Sequence, residues 1–163
     1  MTLLKNKSVL KVREALAEAG FDDTVIELEE TARSAGDAAE SIGVELGSIV
    51  KSLVFTVGDR FVLALVAGDR KCKEDGLARA LNLEGEVSRP DAKKIRGATG
   101  FSIGGVPPVG HDHKLPVVID VSLKRFDVLY AAAGHEKCVF PTTMADLKKM
   151  TGGIVSYNIA EPI

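Results

Sequence analysis

The stretch that decides the fold reads Ile49-Val-Lys-Ser-Leu-Val-Phe-Thr-Val57, then Gly58-Asp59, then Arg60-Phe-Val-Leu-Ala-Leu-Val-Ala67. Both runs are apolar and rich in β-branched residues, which disfavours a helix and favours strands. A Gly-Asp pair between two such runs is typical of the tight turn of a β-hairpin. We expect this hairpin to form the centre of a sheet.

Apolar residues at helical spacing, with capping residues before them and glycines after them, predict helices on both sides of the hairpin. The predicted helices run from Ser8 to Gly20, from Ser34 to Gly43, over residues 73–83, from Ser88 to Gly97, and from Thr142 or Thr143 to Gly152. Further strands are predicted at 24–29, 115–121, 128–133, 138–140 and 154–159. Strands that alternate with helices and include a hairpin indicate an α/β fold with a mixed sheet.

The size and charge of the chain limit what it can be. Its 163 residues, 45% of them hydrophobic, predict one compact domain over 1–163. With 21 Lys and Arg against 23 Asp and Glu, the net charge is −2, so no overall positive field holds the protein on DNA or on an anionic membrane. Any polyanion must be bound by local basic patches.

The cysteines and the N-terminal segment indicate a compartment. Cys72 and Cys138 are far apart and outside any C-x-x-C spacing, which excludes a zinc knuckle and a disulfide framework. Residues 1–7 lead into a charged amphipathic stretch instead of the apolar core of a signal peptide, and no run approaches ~18 apolar residues. We expect a protein of the cytoplasm.

Lys51 is an unusual residue within the hairpin. Period-two alternation places it on the same face as Leu53, Phe55 and Val57, with its ammonium at the end of an apolar row. One interpretation is a lysine at a strand end whose stem covers the core while its charge reaches water. The other is a cation at the mouth of a cleft, available to a phosphate, a carbonyl or a developing oxyanion.

The segment Gly100-Phe-Ser-Ile-Gly-Gly-Val-Pro-Pro-Val-Gly-His111 combines flexible and stiff residues. Its glycines allow backbone N–H groups to approach a ligand, and Pro107 and Pro108 fix the loop in advance. The segment has neither the Walker A nor the Rossmann glycine spacing. It is interpreted either as a loop that holds an oxyanion or as a rigid turn between a helix and a strand.

The histidines supply too few ligands for a metal site. His111 and His113 flank a carboxylate, but His135 is the only other histidine, whereas zinc needs about three or four protein ligands. We therefore predict no metal and no cofactor. Ser102 lacks a Gly-x-Ser-x-Gly elbow, and neither cysteine lies in a nucleophile motif. Ala131–Glu136 is either a tight hairpin turn or the edge of a small pocket.

These motifs, in this order, resemble those of the YbaK/EbsC family: Ile-Val-Lys-Ser-Leu-Val-Phe (49–55), Val66-Ala-Gly-Asp69, the glycine and proline loop 100–111, Val118-Ile-Asp120 and the Ala-Ala-Gly turn at 132–134. The resemblance covers about residues 8–159. It implies a mixed, partly barrel-like sheet flanked by helices. It also implies a free-standing relative of the editing domain of prolyl-tRNA synthetase, which hydrolyses amino acids wrongly esterified to tRNA.

The resemblance also assigns site residues. It implies catalytic roles for Lys51, Gly104 and Gly105. The residues that it places at the substrate are Gly100, Ser102, Val106, Pro107, Gly110, His111, Gly134 and His135. The implied mechanism is attack of water on the ester carbonyl, with N–H groups of the loop stabilising the oxyanion and Lys51 positioning the terminal phosphate or the carbonyl end of the substrate.

The implied partner is mischarged tRNA, in the first place tRNA-Pro carrying alanine, cysteine or another small amino acid, with prolyl-tRNA synthetase as a potential docking partner. Basic pairs are candidate tRNA contacts: Arg70-Lys71, Lys93-Lys94, Lys124-Arg125 and Lys148-Lys149. Two alternatives stay open. One is a module that binds aminoacyl-tRNA or a nucleotide without cleaving it, and the other is a metal-dependent hydrolase built on His111 and His113.

Overall fold

The computed structural model describes residues 2–163, in which strands and short helices alternate along the chain. The strands are β1 (Ile26–Glu27), β2 (Ile49–Val57), β3 (Arg60–Ala67), β4 (Arg70–Cys72), β5 (Val87–Ser88), β6 (Val117–Asp120), β7 (Leu129–Ala132), β8 (Cys138–Thr142), β9 (Ile154–Ser156) and β10 (Ala160–Pro162). The α-helices are α1 (Lys7–Glu18), α2 (Ala35–Ile42), α3 (Leu77–Ala80), α4 (Ala92–Thr99) and α5 (Met144–Thr151).

Most strands join one mixed sheet, in the order β1-β8-β7-β2-β3-β6-β9, with β5 also paired to β2. The predicted hairpin is present, since β2 and β3 pair antiparallel from Val50↔Ala67 to Val57↔Arg60. β2 pairs with β7 in parallel, as do β3 with β6 and β6 with β9. The predicted mixed α/β sheet is therefore confirmed. β4 and β10 form a second, two-stranded sheet.

β3 is the central strand, because both of its faces are covered. Its odd-numbered residues from 63 to 67 join a large core that includes Val12 and Leu16 of α1. Its even-numbered residues from 62 to 66 join a smaller core that includes Leu77 of α3 and Ile159. The period-two alternation of the strand thus distributes one apolar run between two layers.

Helix boundaries follow the predicted capping residues in two cases. Ser34 accepts a hydrogen bond from the Asp37 N–H (3.1 Å), and Gly43 ends α2 in the left-handed conformation at φ +82°. Thr143 caps α5 in the same way. The predicted cap at Ser8 is wrong, because the side chain of Asn6 accepts from the Ser8 N–H (2.9 Å), so the cap lies two residues earlier and α1 begins at Lys7.

The predicted helix from Ser88 to Gly97 is displaced along the chain. Ser88 lies in β5 opposite Thr56, and the cap of α4 is Asp91, which accepts from the Lys94 N–H (2.9 Å). A β-branched residue before a serine also suits a strand, which the helical interpretation overlooked. α4 continues through Gly97 to Thr99, and Gly100 ends it in the left-handed conformation at φ +83°.

Other predicted elements are shorter than expected, and the strand β10 was not predicted. The helix predicted at 73–83 is a 3-10 turn followed by the four residues of α3. The last strand ends at Ser156, and the chain then forms β10 against β4, with Ala160 opposite Cys72. The alternation of apolar residues that predicts strands is absent from Ala-Glu-Pro, so the sequence contains no signal for β10.

Asp120 fastens the end of β6 to the end of β3. Its carboxylate is buried and accepts hydrogen bonds from the Ala67 N–H (3.0 Å), the Ser122 hydroxyl (2.7 Å) and the Ser122 N–H (2.9 Å). Ala67 is itself fully buried, so its N–H has no access to water if the carboxylate is removed.

We expect Asp120→Ala to lower the free energy of unfolding by at least about 2 kcal/mol, because a buried donor loses a charged acceptor. Asp127→Ala removes an exposed carboxylate from the following turn and is the matched control. Urea unfolding of both variants measures the difference. Equal midpoints for the two variants would contradict the role assigned to Asp120.

Candidate active site

A cavity of about 380 Å³ lies between β2 and the β7–β8 hairpin. Its walls come from the segment before α2, from residues 49–53 of β2, from the loop around Gly104, and from the turn that joins β7 to β8. Four of the residues predicted to act at the site lie together on these walls, namely Lys51, Gly104, Val106 and His135.

The cavity exists because β2 leaves β7 soon after it begins. Across residues 2–163, β2 pairs with β7 only at Ile49 and Val50, and with β5 only at Thr56 and Val57. The intervening residues of β2 keep β3 as their neighbour on one side, and three of them, residues 51–53, border the cavity. Where two neighbouring strands stop pairing in this way, their unpaired backbone groups and the side chains beside them are available to a ligand.

Ser52 lies at this open edge and was missed by the sequence analysis. Because Gly68 N–H bonds to Ile49 O, the alternation of an antiparallel ladder turns the backbone N–H and C=O of Ser52 away from β3. Its buried hydroxyl has no hydrogen-bond partner among residues 2–163. A serine directly after Lys51 in a largely apolar strand is the signal that could have identified it.

Lys51 is half-buried on the cavity wall, and its ammonium donates a hydrogen bond to the backbone carbonyl of Arg70. Burial lowers the pKa of Lys51 below its usual range, an effect that the nearby carboxylates of Asp69 and Asp120 oppose. An ammonium has three N–H donors, so others remain for a ligand after Arg70 takes one.

Gly104 and Gly105 have different surroundings. Gly104 has φ +95°, and the position that a Cβ would occupy there is open, with only Glu136 Oε2 nearby at 3.8 Å. The N–H groups of Gly104 and Val106 have no acceptor among residues 2–163. The Gly105 N–H, in contrast, donates to Ser102 O (3.0 Å), so it is not the free oxyanion donor that the sequence analysis expected.

Gly105 instead joins the two glycine turns of the site. Its carbonyl accepts from the Gly134 N–H (2.9 Å), and a Cβ at Gly105 would lie 2.8 Å from the carbonyl carbon of Gly134. Gly134 has φ +94° and lies against α1, where a Cβ would come within 2.6 Å of Ser8 O. Both positions therefore require glycine for close backbone approach.

His135 follows this turn and lines the cavity. Its Nδ1 accepts a hydrogen bond from the Lys137 N–H (3.1 Å), so the neutral ring carries its hydrogen on Nε2. The Nε2–H of His135 is therefore the ring's one hydrogen-bond donor, since Nδ1 is occupied by the Lys137 N–H.

Two residues at the start of the loop lie outside the cavity. Gly100 ends α4, and a Cβ there would meet the carboxylate of Asp112 at 2.5 Å. The Ser102 hydroxyl accepts from Arg96 Nη1 (2.5 Å) and is exposed. In place of the substrate contact expected of them, these residues fix the junction between α4 and the loop.

The second half of the loop is also directed elsewhere. His111 donates from Nε2 to Pro107 O (2.6 Å), and its ring lies 5.7 Å from that of Phe101. Gly110 packs on Ala15 of α1. Gly110 and His111 line a separate cavity of about 360 Å³. The loop therefore contributes Ile103, Gly104 and Val106 to the candidate active site, whereas its second half packs against α1.

An ion pair at the rim of the cavity was not foreseen from the sequence. Arg33 Nε lies 3.5 Å from Glu136 Oε2, and the Ala32 N–H donates to the Glu136 carbonyl (2.7 Å). These contacts attach the segment before α2 to the β7–β8 turn. A charged residue within the small-residue turn at 131–136 is the signal that the sequence offered for Glu136.

The thiol of Cys138 is part of the cavity wall. Burial raises the pKa of Cys138 to about 11, with a smaller contribution from the carboxylate of Glu27. The thiol is therefore protonated near neutral pH, and a protonated thiol is a poor nucleophile.

No group of three or more His, Cys, Asp and Glu side chains within residues 2–163 is close enough together to hold a metal ion. The helices described by the structure also include none that is long and apolar enough to cross a membrane.

Comparison with known proteins places this geometry in a family. A family model described as the aminoacyl-tRNA editing domain matches residues 29–150, a range that contains every residue lining the cavity. YwhH, an uncharacterized protein of Bacillus subtilis, is 32% identical over 155 residues, which cover 94% of this chain and 98% of that protein. EbsC of Enterococcus faecalis, described as a candidate Cys-tRNA(Pro)/Cys-tRNA(Cys) deacylase, is 31% identical over 122 residues, covering 74% of this chain and 73% of EbsC.

A solved structure shares the whole fold. It is described as a candidate trans-editing enzyme for prolyl tRNA synthetase, and it superimposes with a TM-score of 0.88 at 36% identity. The superposition covers 96% of this chain and 98% of that protein. The helix-flanked mixed sheet predicted from the sequence is thus found in an independent structure.

Fold, cavity and family model together define an aminoacyl-tRNA editing enzyme, a deacylase that hydrolyses the ester between an amino acid and tRNA. The chain belongs to the aminoacyl-tRNA editing domain family. The resemblance to YbaK/EbsC proteins noted in the sequence is confirmed.

We expect Gly105→Ala to lower the free energy of unfolding by about 1–3 kcal/mol, because its Cβ would force apart two backbone segments. Gly97→Ala is the matched control, since Gly97 lies within α4 with no atom near its Cβ position. This control should gain roughly 0.5–1 kcal/mol from helix propensity. Thermal unfolding compares the two, and a stable Gly105→Ala variant would show that the loop and the turn are not held together there.

Burial gives His111 a pH-dependent effect on stability. Its pKa is lowered by removal from water, an effect only partly offset by its hydrogen bond to Pro107. The unfolded chain, with a histidine pKa of about 6.5, therefore binds a proton at a higher pH than the folded chain does. The stability associated with neutral His111 is present above that pH and is lost as the pH falls toward the folded value.

We expect the free energy of unfolding to fall less steeply between pH 7 and pH 5 in His111→Gln than in the unmodified protein. His113→Gln, which changes an exposed histidine two residues away, should keep the original slope. Urea unfolding across this pH range provides the measurement. Identical slopes for all three proteins would exclude His111 as the source.

Proposed function

We propose that this deacylase acts in trans on tRNA-Pro in the cytoplasm and removes a small amino acid wrongly attached to it, such as alanine or cysteine. The observation that carries the proposal is that Lys51 and the unengaged N–H of Gly104 lie on the walls of one small cavity. An ammonium and a free backbone N–H are groups that can stabilise the negative charge that develops on the carbonyl oxygen when an aminoacyl ester is hydrolysed.

The size of the cavity supports a small amino acid. Its volume of about 380 Å³ is near the lower end of ligand pockets. The wall carries short side chains where an amino acid would enter, among them Ala32, Ala35 and Ala132. Part of this space must also receive the terminal ribose of the tRNA, which leaves little for the substrate side chain.

The chemistry follows from the placement of the donors. A water oxygen bonds to the ester carbonyl carbon, and the carbonyl oxygen becomes an oxyanion within reach of the N–H groups of Gly104 and Val106. When the tetrahedral intermediate collapses, the bond to the ribose oxygen breaks, and that oxygen takes one of the two protons of the attacking water, so the products are the free amino acid and the ribose hydroxyl. Lys51 binds the phosphate of the terminal nucleotide or the carbonyl end of the substrate and so fixes the ester in place.

Basic side chains beside the loop suit the rest of the tRNA. Lys93, Lys94 and Arg96 are exposed on α4, which leads directly into the loop at Gly100. Arg125 is less available, because it makes a bidentate pair with Asp69 (2.9 and 2.7 Å). Contacts of this kind position a polyanion without reading its sequence.

The choice of tRNA-Pro is supported by two of the similar proteins. EbsC is described as acting on Cys-tRNA(Pro) and Cys-tRNA(Cys), and the solved structure is described in relation to prolyl tRNA synthetase. Editing in trans then makes prolyl-tRNA synthetase a candidate docking partner, since that enzyme produces the mischarged tRNA.

The direct test is single-turnover deacylation of tRNA-Pro carrying alanine, cysteine, serine, glycine or proline, each compared with its rate in buffer. We expect one or more of the small wrong amino acids to be removed much faster than proline. Equal rates with and without the protein for every ester would overturn the proposal, and a preference for a different tRNA would overturn the assignment to tRNA-Pro.

We expect Lys51→Ala to lower the single-turnover rate by at least about tenfold, because a cation that acts in the reactive complex contributes to the transition state. Thermal stability should be retained, since burial of the ammonium opposes folding. Lys5→Ala is the matched control, as Lys5 is exposed in the N-terminal 3-10 turn, lies outside the cavity and belongs to none of the candidate tRNA contacts. An unchanged rate in Lys51→Ala would exclude Lys51 from the reaction.

A further inference from the structure

We propose that Glu136 binds the α-ammonium group of the substrate, so that the enzyme acts on esters with a free α-amino group and spares those whose nitrogen is acylated. This inference rests on the proposed function and adds to it a specificity residue. Its observational basis is that Glu136 and Gly104 both line the cavity and that the Glu136 carboxylate lies next to the position a Cβ on Gly104 would occupy.

The position of the Glu136 carboxylate next to the backbone of Gly104 fits an aminoacyl ester. Glu136 Oε2 lies 3.8 Å from the position of a Cβ on Gly104. In an amino acid the α-nitrogen is separated from the carbonyl carbon by a single atom. A substrate whose carbonyl oxygen is held by the Gly104 N–H therefore has its ammonium group within a few ångströms of this carboxylate.

The charges on the wall orient the substrate in one direction. Lys51 and Arg33 are positive, Glu136 is the one carboxylate that lines the cavity among residues 2–163, and Tyr130, His135 and Cys138 are its other titratable groups. A cationic ammonium is repelled by Lys51 and attracted by Glu136, so it turns toward the rim. The phosphate of the terminal nucleotide has the opposite preference, and the two ends of the substrate are thereby distinguished.

Glu136 is available for this role although it has a partner. Arg33 Nε is 3.5 Å away, and the Arg33 side chain is 75% exposed whereas that of Glu136 is 32% exposed. An exposed pair of this length is weak, so a substrate ammonium can replace Arg33. The backbone of Glu136 is meanwhile fixed by the hydrogen bond from the Ala32 N–H.

The consequence is a class of ester that the enzyme leaves intact. In peptidyl-tRNA the α-nitrogen is an amide, which carries no charge and cannot pair with the carboxylate. Such an ester offers Glu136 no cation to pair with. It also places an uncharged N–H and the rest of the peptide at the rim of the cavity. Discrimination of this kind protects growing polypeptides from an enzyme that hydrolyses the same ester bond.

The test compares two esters that differ only at the α-position. The amino acid that the deacylation panel shows to be removed fastest is charged on tRNA-Pro, and part of the sample is deaminated with nitrous acid to the α-hydroxy ester. Single-turnover rates are divided by the rate of each ester in buffer, which corrects for its intrinsic reactivity. We expect the unmodified protein to prefer the amino ester by about tenfold or more, and Glu136→Gln to lose most of that preference.

Arg33→Gln is the matched control, because it removes the other half of the rim pair and leaves the carboxylate. It should keep the preference for the amino ester. If the unmodified protein accelerates both esters equally, or if Glu136→Gln keeps the full preference, the role of Glu136 is excluded while the proposed function stands. If no ester of the panel is hydrolysed, the proposed function itself fails, which is a different result.

Discussion

The structure depends on the point at which β2 separates from β7. Up to Val50 the two strands are paired, and beyond it the same strand borders a cavity. β3 makes this possible, because its eight-residue pairing with β2 and its two buried faces keep β2 in place without a second neighbour. Lys51 and Ser52 are the first residues after the separation. A strand that is held firmly on one side can thus present polar groups on the other, which a fully paired central strand cannot do.

The loop and the turn that close the cavity are positioned by backbone contacts more than by side chains. Gly105 approaches Gly134 so closely that it does not tolerate a Cβ, and one hydrogen bond between their backbones joins the two segments. Gly134 is in turn packed against the first turn of α1. The free Gly104 N–H is therefore carried on a rigid support, as donors must be if they are to stabilise a developing charge without rearrangement. The glycine content of the loop serves this close packing, and only part of it faces the cavity.

Sequence reasoning succeeded where one local rule decided the outcome. The hairpin at 49–67, the caps at Ser34 and Thr143 and the position of Lys51 at the end of an apolar row all follow from periodicity and capping. It failed where a distant contact decided. Ser88 enters a strand because β2 has an edge to pair with, and Gly110 in the second half of the 100–111 loop lies against Ala15 of α1. Ser52 and Glu136 are ordinary residues in the sequence and are brought to the cavity only by the strand separation and by the Ala32 contact.

The ammonium of Lys51 lies at a partly buried position that disfavours its charged form, and the neighbouring groups of the site compensate for part of this effect. Removal from water lowers the pKa of Lys51, so the folded protein bears a cost for holding this group at the cavity wall. The Arg70 carbonyl and the nearby carboxylates offset part of that cost and also fix the direction in which the ammonium acts. Glu136 lines the same cavity, and its Oε2 lies 3.8 Å from the position of a Cβ on Gly104. An aminoacyl ester of tRNA is positive at its amino end and negative at its phosphate, so the proposed pairing of Glu136 with the amino end and of Lys51 with the phosphate orients the carbonyl between the two.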